Sequence, residues 1–264
     1  MRKINLVLIP AFLFLAACQA QDTPSSSAEI SSEESSEKNS SSSQEGTPIQ
    51  YEMGISGDEA VLKKVNGSSL VANIPATYEG RPVTRILDGA FKDKTKITKV
   101  IVPENVVSIG VDAFLGCTNI EEVSLPSSLR HIGRRAFVGL RYMKDIHIPE
   151  GVETIGDSVF SNCVNLENVS FPSTLKDLGS NLFQSDKLVT SLYKGIEYLG
   201  NSNNPHLIAY KVNAKNPAPE EAEFHPDTKI IGGSLFESEE SLAKVTLNEG
   251  LEVICASAFR SCPF

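Results

Sequence analysis

Phenylalanine recurs at positions 91, 114, 137, 160 and 183, each 23 residues after the last, and again at 236 and 259 after an interval of 53. The longer interval is one period plus 30 residues, so the spacing survives an interruption. Other columns move in step with it. Five residues before each Phe stands Ile86, Ile109, Ile132, Ile155, Leu178, Ile231 or Ile254. Gly follows that column at 110, 133, 156, 179 and 232, and Pro103, Pro126, Pro149 and Pro172 lie twelve residues after a Phe. A fixed period of this size marks stacked repeats, in which no single unit can bury its own apolar face.

Each unit has a physical reading. Val100-Ile101-Val102, Val123-Ser124-Leu125, Ile146-His147-Ile148, Val169-Ser170-Phe171 and Val245-Thr246-Leu247 alternate in and out with β-branched residues, which predicts a short strand. Pro ends it by removing a ladder donor. A second extended piece such as Val107-Ser108-Ile109 follows, Gly turns the chain, and Asp112-Ala113-Phe114 is expected to begin a short helical turn. Ile97, Ile120, Met143, Leu166 and Leu242, each six residues after a Phe, are expected to point inward with it. The expected fold is a β-rich α/β solenoid of 23-residue leucine-rich repeats, with short strands and short helical turns. Neighbouring strands would lie about 4.8 Å apart. Five repeats fall in 83–192 and two in 228–264, the last incomplete.

The unit carrying Ile155, Gly156, Phe160, Cys163, Leu166, Val169, Phe171 and Pro172 resembles the BspA-like class of bacterial leucine-rich repeats, over about residues 51–264. The resemblance implies an N-terminal β-hairpin cap over 50–82, with Val71-Ala72-Asn73-Ile74-Pro75 and Glu79-Gly80-Arg81-Pro82-Val83 in the family's places. It also implies a β insertion over 193–227, in which Glu197-Tyr198-Leu199-Gly200-Asn201 and Asn204-Pro205-His206-Leu207-Ile208 look like strand, turn and strand. Members of that class are surface-exposed, and several act in adhesion, so the resemblance implies a binding role. Two departures stand out. Repeat five lacks the strand-ending Pro, and the chain stops at Phe264 within repeat seven. A solenoid needs a polar cap at each end, so a truncated product or end-to-end pairing is expected.

Arg2 and Lys3 precede an apolar run over 4–15, broken only by Asn5 and Pro10 and too short to cross a bilayer comfortably. It ends in Leu15-Ala16-Ala17-Cys18, which resembles the lipobox of bacterial lipoproteins. The resemblance implies a signal peptide over 1–17 and a lipid on Cys18. The expected location is the extracellular face of the cell membrane, anchored without spanning it. Residues 18–49 are rich in Ser and Glu, with Ile30 alone among large apolar residues in 21–47. Such a segment cannot bury enough surface to order itself and is expected to be a disordered tether spanning about 30 Å.

A net charge of −9 argues against nucleic acid as a partner. Of five cysteines, Cys18 is assigned to the lipid, and Cys117, Cys163 and Cys262 share one repeat column. Cys117 and Cys163 are two rungs apart, about 10 Å, beyond the roughly 7 Å a disulfide allows, so they read as core thiols. Cys255 replaces the repeat Gly, and its pairing with Cys262 stays open. His131, His147, His206 and His225 have no metal-ligand spacing, and His131 and His147 fall at positions expected to be solvated. Nucleophile-elbow, phosphate-loop and HExxH patterns are missing. Catalytic residues, metal and cofactor are therefore not expected, and the domain reads as a binding module rather than an enzyme. The ligand-binding face is expected along Ile101, Ser124, His147, Ser170 and Thr246. A basic patch of Arg130, His131, Arg134, Arg135, Arg141 and Lys144 gathers in repeat three and would suit an acidic ligand. The expected partner is an extracellular protein. A glycan or cell-wall ligand is the alternative, with Tyr142, Tyr193, Tyr198 and Tyr210 as the candidate platform because Trp is absent. A repeat protein with no specific ligand is the third reading.

Overall fold

The computed structural model describes residues 46–184, 187–213 and 220–263. The predicted signal peptide, Cys18 and the predicted tether through residue 45 lie outside the described residues.

The first described elements are antiparallel. Gln50–Ser56 pairs with Glu59–Asn66 across a two-residue turn at Gly57 and Asp58. Ala60, Leu62 and Val65 put the hairpin's apolar side into the core. Glu59–Asn66 then pairs in parallel with Arg81–Ile86, and from there the ladder climbs one strand per repeat. Ser108–Ile109, His131–Ile132, Thr154–Ile155 and Asp177–Leu178 follow in unbroken parallel register, with Ile86, Ile109, Ile132, Ile155 and Leu178 stacked in one column. This is the back ladder. The front ladder consists of the strands that precede each Pro, and it is divided. Val71–Asn73, Lys99–Ile101 and Glu122–Ser124 form one sheet, while Asp145–His147 pairs with Asn168–Ser170 in another. Pro stands where the ladder can spare a donor: the Val102 N–H donates to the Ser124 carbonyl at 3.1 Å just past the front strand, and Pro103 follows.

Between the two ladders lies the core. The rings of Phe91, Phe114, Phe137, Phe160 and Phe183 stack in file, with centroids 4.6, 5.4, 5.7 and 5.3 Å apart. The first four are fully buried, and Ile97, Ile120, Met143 and Leu166 lie beside them, equally inaccessible. Burying a Phe contributes on the order of 2–3 kcal/mol, and parallel-offset ring pairs add somewhat less.

The expected short helical turns are not present. After each Gly the chain runs through consecutive turns, and the reason lies in where its amides go. The Gly89, Phe91 and Asp93 amides donate to the Val111, Ala113 and Leu115 carbonyls of the next rung, at 2.9, 2.8 and 2.8 Å. The amides between them close back locally, as Lys92 to Gly89 and Lys94 to Phe91. An α-helix directs every amide along its own axis, so it cannot give alternate donors to a neighbour. The alternation needs a left-handed residue two positions either side of Phe. Those positions hold Gly89, Asp112, Arg135 and Ser158 on one side and Asp93, Gly116, Gly139 and Asn162 on the other, all with φ between 56° and 81°. The turn is thus a third inter-rung ladder.

Rung five leaves the pattern. Ser191–Tyr193 stands at the repeat's front-strand position, yet it pairs antiparallel with Ile196–Leu199, which pairs in turn with Ile208–Val212. Ile208–Val212 then pairs in parallel with Ile230–Ile231, and Val253–Ile254 follows. Phe183 meets Tyr210 edge-on at 5.4 Å, which ends the ring file. A second core forms around Tyr198, Phe224, Phe236 and Leu242, with Phe236 stacked on Phe259 at 5.6 Å.

Candidate ligand-binding face

The columns that line the front ladder are set by register. Asn73 pairs with Ile101 and Ile101 with Ser124, while His147 pairs with Ser170 and Ser170 bridges to Gly200. Thr246 pairs with Glu223 in a separate two-stranded ladder. The five predicted residues therefore fall in three groups rather than one column. Ser124, His147 and Thr246 are exposed, and Ile101 and Ser170 are half-buried. A flanking column two residues earlier is held by cross-rung pairs: Lys99 with Glu122 at 2.8 Å, Asn168 donating to Asp145 at 2.5 Å, and Lys244 with Glu221 at 2.9 Å.

Where rung five turns away, the front ladder opens into a cleft of about 530 Å³. Val189 closes one end by donating to the Glu167 carbonyl at 2.8 Å, and Gly200 closes the other by accepting from the Phe171 N–H at 3.0 Å. Ser170 and Gly200 form a parallel bridge at that far end, and half-buried Val169 lines the cleft between the two bonds. The walls come from His147 and Ser170 on the repeat side, and from Tyr198, Asn201 and Pro205 on the insertion side. Val189, 68% exposed, stands at the rim.

Two residues of the predicted basic patch have local partners. The Arg135 guanidinium donates twice to the Asp112 carboxylate, at 2.8 and 2.5 Å. That bond, aided by the fields of Arg134 and Lys92, holds Asp112 below the usual carboxylate range. Arg130 donates to the Ser127 and Leu129 carbonyls at 3.0 and 2.9 Å, so its guanidinium folds onto its own loop. Arg141 and Lys144 are exposed on the stretch leading to the front strand. The positive charges thus spread over three successive stretches of one rung, and that of Arg135 is paired with Asp112.

Cys117, Cys163, Cys255 and Cys262 are free thiols. Cys117 and Cys163 are buried, and burial pushes each up to about 12. Of the tyrosines proposed for a glycan platform, only Tyr142 is well exposed, at 58%, whereas Tyr198 is buried. His131 shares a hydrogen bond with Thr154 at 2.9 Å. The repeat pattern did not reveal the pair His206 and His225. Their rings stack at 3.8 Å and 7°, with Tyr193 edge-on to His225 and Tyr198 edge-on to both. Among the described residues no group of three or more His, Cys, Asp or Glu is placed to hold a metal ion, and no helix is long and apolar enough to cross a membrane.

The family described as BspA type Leucine rich repeat region matches in six copies, over residues 81–202 and 214–264. Comparison with curated proteins gives no match. Among solved structures the chain is similar to a leucine-rich repeat protein of T. pallidum, with 23% identity, TM-score 0.56, and coverage of 78% of this chain and 83% of that one. At that identity the likeness speaks to the fold alone. A leucine-rich cell surface protein from Faecalibacterium prausnitzii is 22% identical over 81% of this chain and 73% of its own, with TM-score 0.43. A leucine-rich repeat protein from Bacteroides capillosus is 28% identical over 53% of this chain and 91% of its own, with TM-score 0.40.

Proposed function

Since the chain belongs to the BspA-type leucine-rich repeat family, we propose that its front ladder binds a partner protein outside the cell, in an adhesive or bridging role. The observation that supports this most is the cleft beside His147 and Ser170, where the front ladder opens as rung five turns away. Short outward side chains on a rigid ladder give a partner a surface that needs little ordering on binding. The domain acts as a binding module rather than a catalyst. A lipid on Cys18 would hold it at the membrane, with the Ser-rich segment as a leash. A glycan or cell-wall ligand is the second reading, and the single well-exposed ring of Tyr142 among the candidate tyrosines gives it less support.

The test is a pull-down with the full chain from host matrix and from neighbouring bacteria, repeated with His147→Glu plus Ser170→Glu and with the back-ladder control His131→Glu. Capture of a protein that is lost in the front variant and kept in the control supports the reading. Capture that is indifferent to the front variant argues against it, and signal confined to a glycan array would move the reading to carbohydrate.

A further inference from the structure

Two loops meet through the stacked imidazoles. His206 lies in the connection between Ile196–Leu199 and Ile208–Val212, and His225 lies ahead of Ile230–Ile231. The same loops are joined by Asn204, whose side-chain amide donates to the Asp227 carbonyl at 2.7 Å. The Asp227 N–H donates to His225 Nδ1 at 3.2 Å, which requires that nitrogen to be unprotonated. The His225 N–H donates to the Tyr198 hydroxyl at 3.2 Å. Tyr198 and Pro205, on this insertion, also line the front cleft.

We propose that the His206–His225 stack is an acid-released clasp, which when neutral holds the 200–207 loop against the segment entering rung six and when doubly protonated lets it go. The first proton is tolerable. The Asp227 carboxylate already stands 3.7 Å from His225 Nδ1 and would balance one positive charge on the pair. The second proton has no such outlet. His206 faces His225 across the stack, with Tyr198 edge-on, and among the described residues Asp227 is the acid whose field reaches His206. Behind Tyr193, Lys194 is engaged by Glu223, so that Glu is not a free counter-charge, and Lys194 itself stands 5.5 Å over the Tyr193 ring. Two imidazoliums face to face then repel across 3.8 Å.

Burial first, and the charge of His225 second, push His206 below the ordinary imidazole range, with Asp227 pulling the other way. A depressed value in the closed state means that the open state takes up more protons. The clasp therefore contributes fully above the ordinary value of 6.5 and weakens as pH falls below it.

Hydrogen exchange on the full chain reads this without any ligand, so it stands apart from the proposed binding role. After correction for intrinsic exchange, amides over 200–207 are expected to lose protection between pH 7.5 and 5.0, by up to about tenfold per pH unit for each proton taken up on opening. Amides of the back ladder at Ile109 and Ile132 should keep theirs. His206→Phe retains an aromatic face without a titrating group, and it should abolish the acid response. Unchanged protection at 200–207, loss of protection across the whole domain at once, or an acid response that survives in His206→Phe would each overturn the proposal.

Discussion

The Cys117 thiol donates to the Phe91 carbonyl, one rung back, at 2.9 Å. Cys163 repeats the bond to Phe137 at 3.1 Å, and Cys262 to Phe236 at 3.1 Å. These thiols sit where a small apolar group with a weak donor suits the ladder. With Cys117 and Cys163 raised to about 12, only about one molecule in ten thousand carries either thiolate at pH 8. Iodoacetamide at pH 8 should therefore spare both in the folded protein and modify the half-buried Cys262, as read by peptide mass spectrometry. Cys255, buried and raised to about 11, should react slowly.

Phe137 is stacked on both faces, 5.4 Å from Phe114 and 5.7 Å from Phe160. Phe137→Ala would leave a cavity in the middle of the file. A loss of about 3–5 kcal/mol is expected from urea unfolding. A loss below about 1 kcal/mol would mean that neighbouring rungs collapse into the space.

Gly133 tests the rung spacing. A Cβ there would lie 2.6 Å from the Gly110 carbonyl carbon and 2.7 Å from the Val111 nitrogen, both backbone atoms of the rung below. Gly133→Ala should destabilise by at least about 1–3 kcal/mol by forcing rungs apart. At Gly57 the hairpin turn has φ of 62° and open space around the absent Cβ, so Gly57→Ala costs only the left-handed conformation, about 1 kcal/mol. Thermal melts of the two variants should separate crowding from conformation.

Asp112, lowered by its bond to Arg135, gives an acid-side prediction. A carboxylate with a depressed folded value adds stability above its ordinary value of 3.8, and that contribution fades as pH falls through the lower folded value. Asp112→Asn should lower the melting temperature at neutral pH and flatten its fall below pH about 4. Equal slopes in wild type and variant would show that the pair contributes nothing across that range.

The proposed lipid on Cys18 has a direct assay. Cells expressing the chain should incorporate a clickable fatty acid into it, and Cys18→Ser should remove the label and release the protein into the medium. Label retained in Cys18→Ser would place the acyl chain elsewhere or dismiss it.

Periodic residues were legible from the sequence because each column has one job. Phe91 to Phe183 had to stack, and Gly110 to Gly179 had to let backbones approach, so composition followed geometry. The turn after each Gly was misread as helical because its donors alternate between two partners, which apolar periodicity does not report. A signal was present: positions two either side of Phe hold Gly, Asp, Asn or Ser almost throughout, residues that accept a left-handed backbone, with Arg135 the exception. At the candidate site, alternation picked out Ser124 and His147 as outward-facing but could not show that the front ladder parts between them. The His206–His225 stack was invisible, since its members lie 19 residues apart in stretches that repeat nothing. Tyr198 looked like a surface ring for the same reason, and in the fold it anchors the second core.

The turn ladder also bears on how such a chain can change length. The rungs of Phe91, Phe114, Phe137, Phe160 and Phe236 each hand alternate backbone donors of the turn to the next rung, so an extra or missing residue inside one turn would put donor opposite donor at that one interface. Duplication or loss of a whole 23-residue unit leaves that handshake intact, because the new neighbour presents the same carbonyls at the same height. A lineage built on this plan can lengthen by copying, and it must place novelty in segments that step outside the stack, as residues 191–212 do here.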